Sequence, residues 1–259
     1  MLFINTRPQD RAEKLSHALR MAQIDVLDLP LLQLLPRPWS AELSELYRQL
    51  PANQVIVVVS PTAVQIGMEY LKQSCITLDQ LQHIQWIAVG ERTAQALAQY
   101  GISAEVPKVE TSEGMLQLPV LQTLNPGQRL AFWRGEGGRL FMMDQLKRQG
   151  MRILNFILYE RHCPVITRQN LAKLLCLLEK QAQYAMVVSS EASWLNWIQL
   201  MQDQKHLIAK GHYLVLGERL YQVVSNYKKN QASCFNITRL SDLKTDSILQ
   251  KLVVVQGNT

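Results

Sequence analysis

The chain has 259 residues, which is enough for two domains that each bury a hydrophobic core. Its formal net charge of +6 favours an acidic partner, but it has no dense basic run with interleaved aromatic residues, so we expect no nucleic-acid binding. Apolar runs such as VIVVV at 55–59 are too short to cross a membrane, and the N-terminal residues do not resemble a signal peptide, so we expect a cytoplasmic protein without membrane contact. The four cysteines are far apart without a Cys-x-x-Cys pair, which predicts neither a disulfide framework nor a metal site.

Short β-branched runs alternate with helical patterns along the chain, which is typical of β-α-β units and parallel sheets. The first unit begins with the strand LFIN, turns at Arg7 and Pro8, continues through an amphipathic helix and ends in a strand at 24–29. A second strand-to-helix turn follows at Ser60 in VVVSPTAV, and a third follows at Gly90 in WIAVGERTAQAL. The sequence therefore predicts an α/β protein.

These units recur later in the chain in the same order. LAFWRGEGGRL from residue 130 repeats the pattern of the first unit, with Arg134 in the place of Arg7. MVVSSEAS corresponds to VVVSPTAV, with Ser189 in the place of Ser60. YLVLGERLYQVV then answers WIAVGERTAQAL. Three matches at nearly one separation indicate a duplicated α/β unit.

The segment AFWRGEGGRL at 131–140 predicts a strand that turns into a helix whose first N–H groups face an anion. Gly135 and Gly137 lie there between Arg134 and Arg139. The third glycine of a dinucleotide fingerprint is missing, and the chain has no P-loop. Ser, Thr and Gly at such turns are equally expected as helix caps. Capping does not explain why arginine recurs at equivalent turns of both halves.

Seven motifs carry a resemblance to a known family: INTRP, VSPTAV, IAVGERTAQAL, TSEGML, WRGEGGR, ILYER and VVSSEA. In this order over essentially the whole chain they resemble the uroporphyrinogen-III synthase family. The resemblance implies two similar flavodoxin-like or Rossmann-like parallel-sheet domains, a cleft between them, and a two-stranded antiparallel linker.

The resemblance also implies that the first domain is discontinuous. We expect domain 1 at 1–30 plus 165–259, domain 2 at 39–154, and the linker strands at 31–38 and 155–164. Prolines punctuate both linker segments, as extended crossings between domains require. Periodicity by itself equally permits two consecutive domains that divide near residue 128.

The activity that the resemblance implies is closure of linear hydroxymethylbilane to uroporphyrinogen III, with inversion of ring D and loss of water. Such an enzyme is a lyase of haem and sirohaem biosynthesis, it needs no metal or organic cofactor, and we expect it to be a monomer. Its substrate carries acetate and propionate groups, so its site must receive many carboxylates. A non-catalytic two-domain cytosolic receptor for an acidic small molecule or a nucleotide shares the fold and the anion-receiving turns, and it is the alternative.

The resemblance assigns the site residue by residue. Tyr159 of ILYER is the candidate general acid, or else an amphipathic aromatic that caps the core. The remaining candidates are all expected to hold the substrate, through hydrogen bonds or carboxylate contacts: Arg7, Ser60, Thr93, Arg134, Gly135, Gly137, Arg139 and Ser189. Helix capping is an equally good account of the serines and the threonine. Leu220 stands where the family often has threonine, which puts a symmetric role for that threonine in doubt.

Overall fold

The computed structural model describes residues 1–257, without the side chains of residues 9, 10 and 254–257. The chain divides into two compact units, and the first of them is discontinuous: it comprises Met1–Gln33 and Arg161–Thr259, whereas the second comprises Leu34–Glu160. No helix among the described residues combines the length and the apolar character that a membrane span requires.

The strands are β1 (Leu2–Asn5), β2 (Asp25–Asp28), β3 (Gln33–Pro36), β4 (Val55–Val58), β5 (Gln85–Ala88), β6 (Ala104–Glu105), β7 (Arg129–Gly135), β8 (Arg152–His162), β9 (Tyr184–Val188), β10 (Gly211–Leu216) and β11 (Asn236–Leu240). The helices are α1 (Gln9–Met21), α2 (Ala41–Arg48), α3 (Pro61–Gln73), α4 (Glu91–Ala98), α5 (Ser112–Met115), α6 (Pro119–Gln122), α7 (Phe141–Arg148), α8 (Val165–Gln169), α9 (Leu171–Glu179), α10 (Glu191–Leu200), α11 (Lys205–Ala209), α12 (Gly217–Asn230) and α13 (Thr245–Gly257). Two short 3-10 segments lie at Leu50–Ala52 and Leu78–Leu81.

Each unit is built on one sheet. In the first unit the strands lie in the order β11-β10-β9-β1-β2, and in the second they lie in the order β3-β8-β7-β4-β5-β6. The pairs from β11 to β2 and from β8 to β6 are parallel. The fold is therefore an α/β fold with parallel sheets, as the periodicity predicted.

Both faces of each sheet are buried, which is why the central strands are continuous apolar runs and do not alternate with polar residues. In β4, Val55 and Val57 pack into one hydrophobic cluster, whereas Ile56 packs into the cluster on the opposite face. In β9, Val187 and Met186 divide in the same way between two clusters of the first unit. The helices cover both faces of each sheet.

The two fold types that the resemblance left open both occur, one in each sheet. Counted from β4, the second sheet has the order 3-2-1-4-5 with β3 added beside β8, which is the Rossmann arrangement; a flavodoxin-like sheet has the order 2-1-3-4-5. Counted in chain order from β1, the first sheet has the order 2-1-3-4-5, which is the flavodoxin-like arrangement. Counted from β9, the same sheet reads 3-2-1-4-5, so both sheets have the same spatial arrangement and the chain enters it at different strands. β7 lies beside β4 and β1 lies beside β9, which supports a discontinuous first domain over two consecutive domains dividing near residue 128.

The two segments expected to link the domains lie next to each other in the second sheet. Gln33–Pro36 forms the edge strand β3 beside β8, and the backbone N–H of Arg37 donates to the carbonyl of Leu158 at 2.9 Å. The exact domain boundaries at residues 30, 39, 154 and 165 stay a prediction.

Candidate functional site

The site candidates gather at the carboxyl ends of adjacent strands. In parallel sheets these ends lie at one edge, and ligands bind at the point where the strand order reverses. In the second unit that point lies between β4 and β7, which are followed by Ser60 and end in Gly135. In the first unit it lies between β9 and β1, which are followed by Ser189 and by the turn containing Arg7. The candidate residues of each unit therefore lie where the fold favours a ligand.

Tyr159 and Ser60 form a hydrogen-bonded pair at the switch point of the second sheet, which is the point where its strand order reverses. The Tyr159 hydroxyl lies 3.0 Å from the Ser60 hydroxyl, and either oxygen can donate. Ser60 Oγ also accepts the backbone N–H of Ala63 at 3.0 Å and so caps α3. The Tyr159 side chain is 2% exposed. A phenol in this position can exchange a proton with a serine whose orientation the helix fixes.

The backbone of β7 makes room for the Tyr159 ring. The register between β7 and β8 shifts after Arg134, so that Arg134 faces Ile157 whereas Gly135 faces Tyr159. A Cβ at position 135 would lie 2.2 Å from a ring carbon of Tyr159. The N–H of Glu136 donates to the Tyr159 carbonyl at 2.7 Å. Only glycine at position 135 is therefore compatible with this position of the tyrosine.

Arg134 is buried, and its guanidinium contacts the turn that follows it. Nε donates to the Gly135 carbonyl at 3.3 Å, and another N–H donates to the Gly137 carbonyl. Gly137 and Gly138 have φ angles of +70° and +78°, in the left-handed region that favours glycine. These contacts stabilise the shape of the turn. A substrate carboxylate contact of Arg134 stays a prediction.

Arg139, at the far end of the same turn, is about half exposed and pairs with Glu113. Its guanidinium donates two hydrogen bonds to the Glu113 carboxylate, at 2.6 and 3.3 Å. These hydrogen bonds hold the pKa of Glu113 below its usual value. The remaining candidate of this unit, Thr93, is 2% exposed and lies in the first turn of α4. Its buried position fits packing at the start of that helix at least as well as it fits a substrate contact.

In the first unit, helix capping falls one residue later than the repeat predicts. Ser190 accepts the N–H of Ser193 at 3.1 Å and caps α10, so capping does not explain Ser189. The Ser-x-x-Ser spacing of these two residues is the sequence signal for this cap. Ser189 lines a cavity of about 300 Å³ between the turns after β9 and β10. Arg219 and Glu191 are joined by an ion pair of 2.7 Å between these turns.

Arg7 follows β1 and is half-buried, with its backbone N–H 3.4 Å from Asn5 Oδ1. Within residues 1–257, leaving aside the side chains that are not described, no group of three or more His, Cys, Asp or Glu residues could hold a metal ion. The acidic partners Glu110 and Glu113 were missed in the sequence, because both contact turns that lie far from them along the chain.

Comparisons with known proteins agree on one family. The family model described as uroporphyrinogen-III synthase HemD matches residues 13–233. The uroporphyrinogen-III synthase of Escherichia coli K12 is 27% identical over 225 residues, which are 85% of this chain and 89% of that protein. A uroporphyrinogen III synthase structure from Thermus thermophilus has a TM-score of 0.69 at 17% identity and covers 99% of both chains. The Helicobacter pylori 26695 synthetase has a TM-score of 0.61 at 15% identity and covers 98% of both.

Proposed function

The chain belongs to the uroporphyrinogen-III synthase family, and on this premise we propose which residues close hydroxymethylbilane to uroporphyrinogen III. The reaction makes the protein a lyase of tetrapyrrole biosynthesis. The observation that carries the assignment of roles is the Tyr159–Ser60 pair at the switch point of the second sheet. It joins a phenol, which can give and take a proton, to the edge of the sheet where ligands of this fold bind.

Tyr159 acts as the general acid in this proposal. The hydroxymethyl C–O bond breaks as the pyrrole nitrogen supplies electrons, and the tyrosine proton goes to the departing oxygen, which leaves as water. The cationic carbon then forms a bond to the substituted carbon of ring D and gives a spiro intermediate. The bond from that carbon to the methylene of ring C breaks, and the methylene forms a new bond to the unsubstituted carbon on the other side of the ring D nitrogen, which inverts the ring. The proton that the closing ring loses returns to the phenolate. The hydrogen bond from Ser60 stabilises the phenolate in between.

Binding is assigned to the turns at the carboxyl ends of the strands. Arg139 and the exposed backbone around Gly137 supply hydrogen-bond donors in the second unit, while Arg7 and Ser189 supply them in the first. Substrate carboxylates suit such donors, because charge-assisted hydrogen bonds are stronger than neutral ones. Arg134 contributes by holding the turn in shape, and Thr93 by packing beneath the start of α4.

The deciding experiment incubates the purified protein with freshly prepared hydroxymethylbilane, oxidises the products and resolves the isomers. Uroporphyrin of type III is expected. Spontaneous closure gives type I, so type I alone would exclude the synthase activity and favour a receptor for an acidic small molecule.

We also propose that the enzyme works as a cytoplasmic monomer without a cofactor. Light scattering of the purified protein measures its mass in solution, and a dimer mass would contradict the monomer.

A further inference from the structure

An acidic strap, residues 108–113, crosses from β6 to α5 in the second unit. Glu110 Oε1 accepts the backbone N–H of Glu91, the first residue of α4, at 2.9 Å. Its carboxylate lies so close over Gly90 that a Cβ there would be 2.4 Å from it. Glu113, at the other end of the strap, accepts both hydrogen bonds from Arg139. The strap thus places two of the chain's own carboxylates on donors at the ligand-binding edge of the sheet.

The strap is anchored at its ends and exposed in between. Pro107 before it is buried, and Met115 after it packs in the core with Met142 and Met143. Val109 in its middle is 60% exposed. The strap is therefore held in place by buried residues on both sides. Its glutamates contact the edge of the sheet through hydrogen bonds that another carboxylate can replace.

In the strand order, the two occupied donors follow the strands on either side of β4, which leads to Ser60. The turn after β5 begins α4, the turn after β7 carries Arg139, and β4, which leads to Ser60, lies between these two strands. Backbone N–H groups at a helix start and a guanidinium are the donors that a substrate with many carboxylates uses. Because the strap carboxylates belong to the same chain, they compete at a high effective concentration.

We infer that the acidic strap is an intramolecular competitor that substrate carboxylates displace, so that it sets the KM for hydroxymethylbilane. The inference rests on the proposed function. Substrate then binds the fraction of molecules in which Glu110 or Glu113 has left its donor, and its apparent affinity is lowered by that fraction. Once the substrate is bound, the strap contacts are already broken, and kcat does not depend on them.

The test compares Glu110→Gln, Glu113→Gln and the double variant with the wild type. Glutamine keeps the length and one acceptor oxygen but removes the charge, so it weakens the competitor without emptying the space. The KM of the double variant is expected to fall by about three- to tenfold, with kcat unchanged within about twofold.

Glu45→Gln is the matched control, because Glu45 is a solvent-accessible glutamate that pairs with an arginine, Arg48, elsewhere in the same unit. Its KM should stay at the wild-type value. An unchanged or raised KM in the double variant, with an unaltered melting temperature, would overturn the inference and leave the strap a structural role. A failure of the proposed function is recognised separately, because the wild type would then form no type III isomer.

Discussion

At Gly135 the ring of Tyr159 fills the space that any Cβ would need, so these two candidate residues from neighbouring strands pack directly against each other. The motif ILYER identified the tyrosine, and the glycine-rich turn identified Gly135, but neither motif indicated that they touch. The contact depends on the register shift after Arg134, which lets Leu158 and Tyr159 both be buried. Such an irregularity arises from the packing of two strands and has no local sequence signal.

The Tyr159→Phe variant is expected to lower kcat by about ten- to a hundredfold, because it removes the proton donor and keeps the ring. Steady-state formation of the type III isomer measures the effect. Tyr47→Phe is the matched control, since Tyr47 is a buried tyrosine of the same unit whose hydroxyl donates to the Gly67 carbonyl at 2.8 Å. Equal rates for both variants would remove Tyr159 from the mechanism.

Arg134 shows that residue type alone does not determine which groups a side chain contacts. An arginine in a glycine-rich turn can face a ligand or the carbonyls of its own turn, and the choice depends on the backbone. Here the left-handed Gly137 and the carbonyl of Gly135 supply acceptors to a guanidinium that is buried and therefore needs them. The sequence predicted a hydrogen-bond donor at this turn, and the structure adds the carbonyls of the turn that it contacts.

Among the elements, the helix starts were the part of the site that local sequence best predicted. Ser60 before Pro61 is a cap with proline at the first helical position, a pairing that local backbone preferences favour. The equivalent start in the first unit is capped by Ser190 and not by Ser189. The repeat placed the two helices correctly but shifted the cap by one residue, because a two-serine turn offers two caps.

The Ser60→Ala variant is expected to lose about 1 kcal/mol of unfolding free energy, as a lost cap does, and also to lower kcat, because Tyr159 loses its partner. Urea denaturation and isomer formation measure the two effects. Ser40→Ala is the control, because the Ser40 hydroxyl caps α2 by accepting the N–H of Leu43 at 3.2 Å. This variant should lose a similar free energy of unfolding and keep full activity. An unchanged kcat in the Ser60→Ala variant would mean that Ser60 caps α3 and has no role in catalysis.

His212 on β10 predicts a pH dependence of stability. Burial lowers the pKa of His212 below its usual value, and its ring lies 2.7 Å from the Thr238 hydroxyl on β11. Between the folded pKa and the unfolded value of about 6.5, the unfolded chain binds more protons, so the free energy of unfolding rises with pH and falls on acidification.

The His212→Gln variant should therefore lose less stability than the wild type between pH 7.5 and pH 5.5 in urea denaturation. His83→Gln is the control, since the His83 side chain is exposed in the native protein. If His212→Gln and the wild type lose the same free energy over this range, His212 is not the group responsible.

At the scale of the whole molecule, the duplicated α/β unit and the discontinuous first unit both follow from the arrangement of strands that the two sheets share. β7 takes in the second sheet the place that β1 takes in the first, and β8 takes the place of β2. The first sheet therefore needs strands from both ends of the chain. Both sheets would lose strands if the chain were divided in the middle.

A fragment of residues 33–162 contains every strand of the second sheet and is expected to fold by itself with cooperative thermal unfolding in circular dichroism. A fragment of residues 1–128 is expected not to, because it lacks β7 and β8 and separates β1 from β9. Cooperative folding of 1–128, together with failure of 33–162, would contradict the proposed domain boundaries.

The sequence by itself determined the α/β class, the duplication and the family, and it predicted the candidate site residues. All of these depend on local periods and motifs that are read within a few tens of residues. The tertiary structure decided the strand order, the contact between Tyr159 and Ser60, and the positions of Glu110 and Glu113. Tyr159 and Ser60 are separated by 99 residues, and only the pairing of parallel strands with their crossover helices brings such residues to one edge.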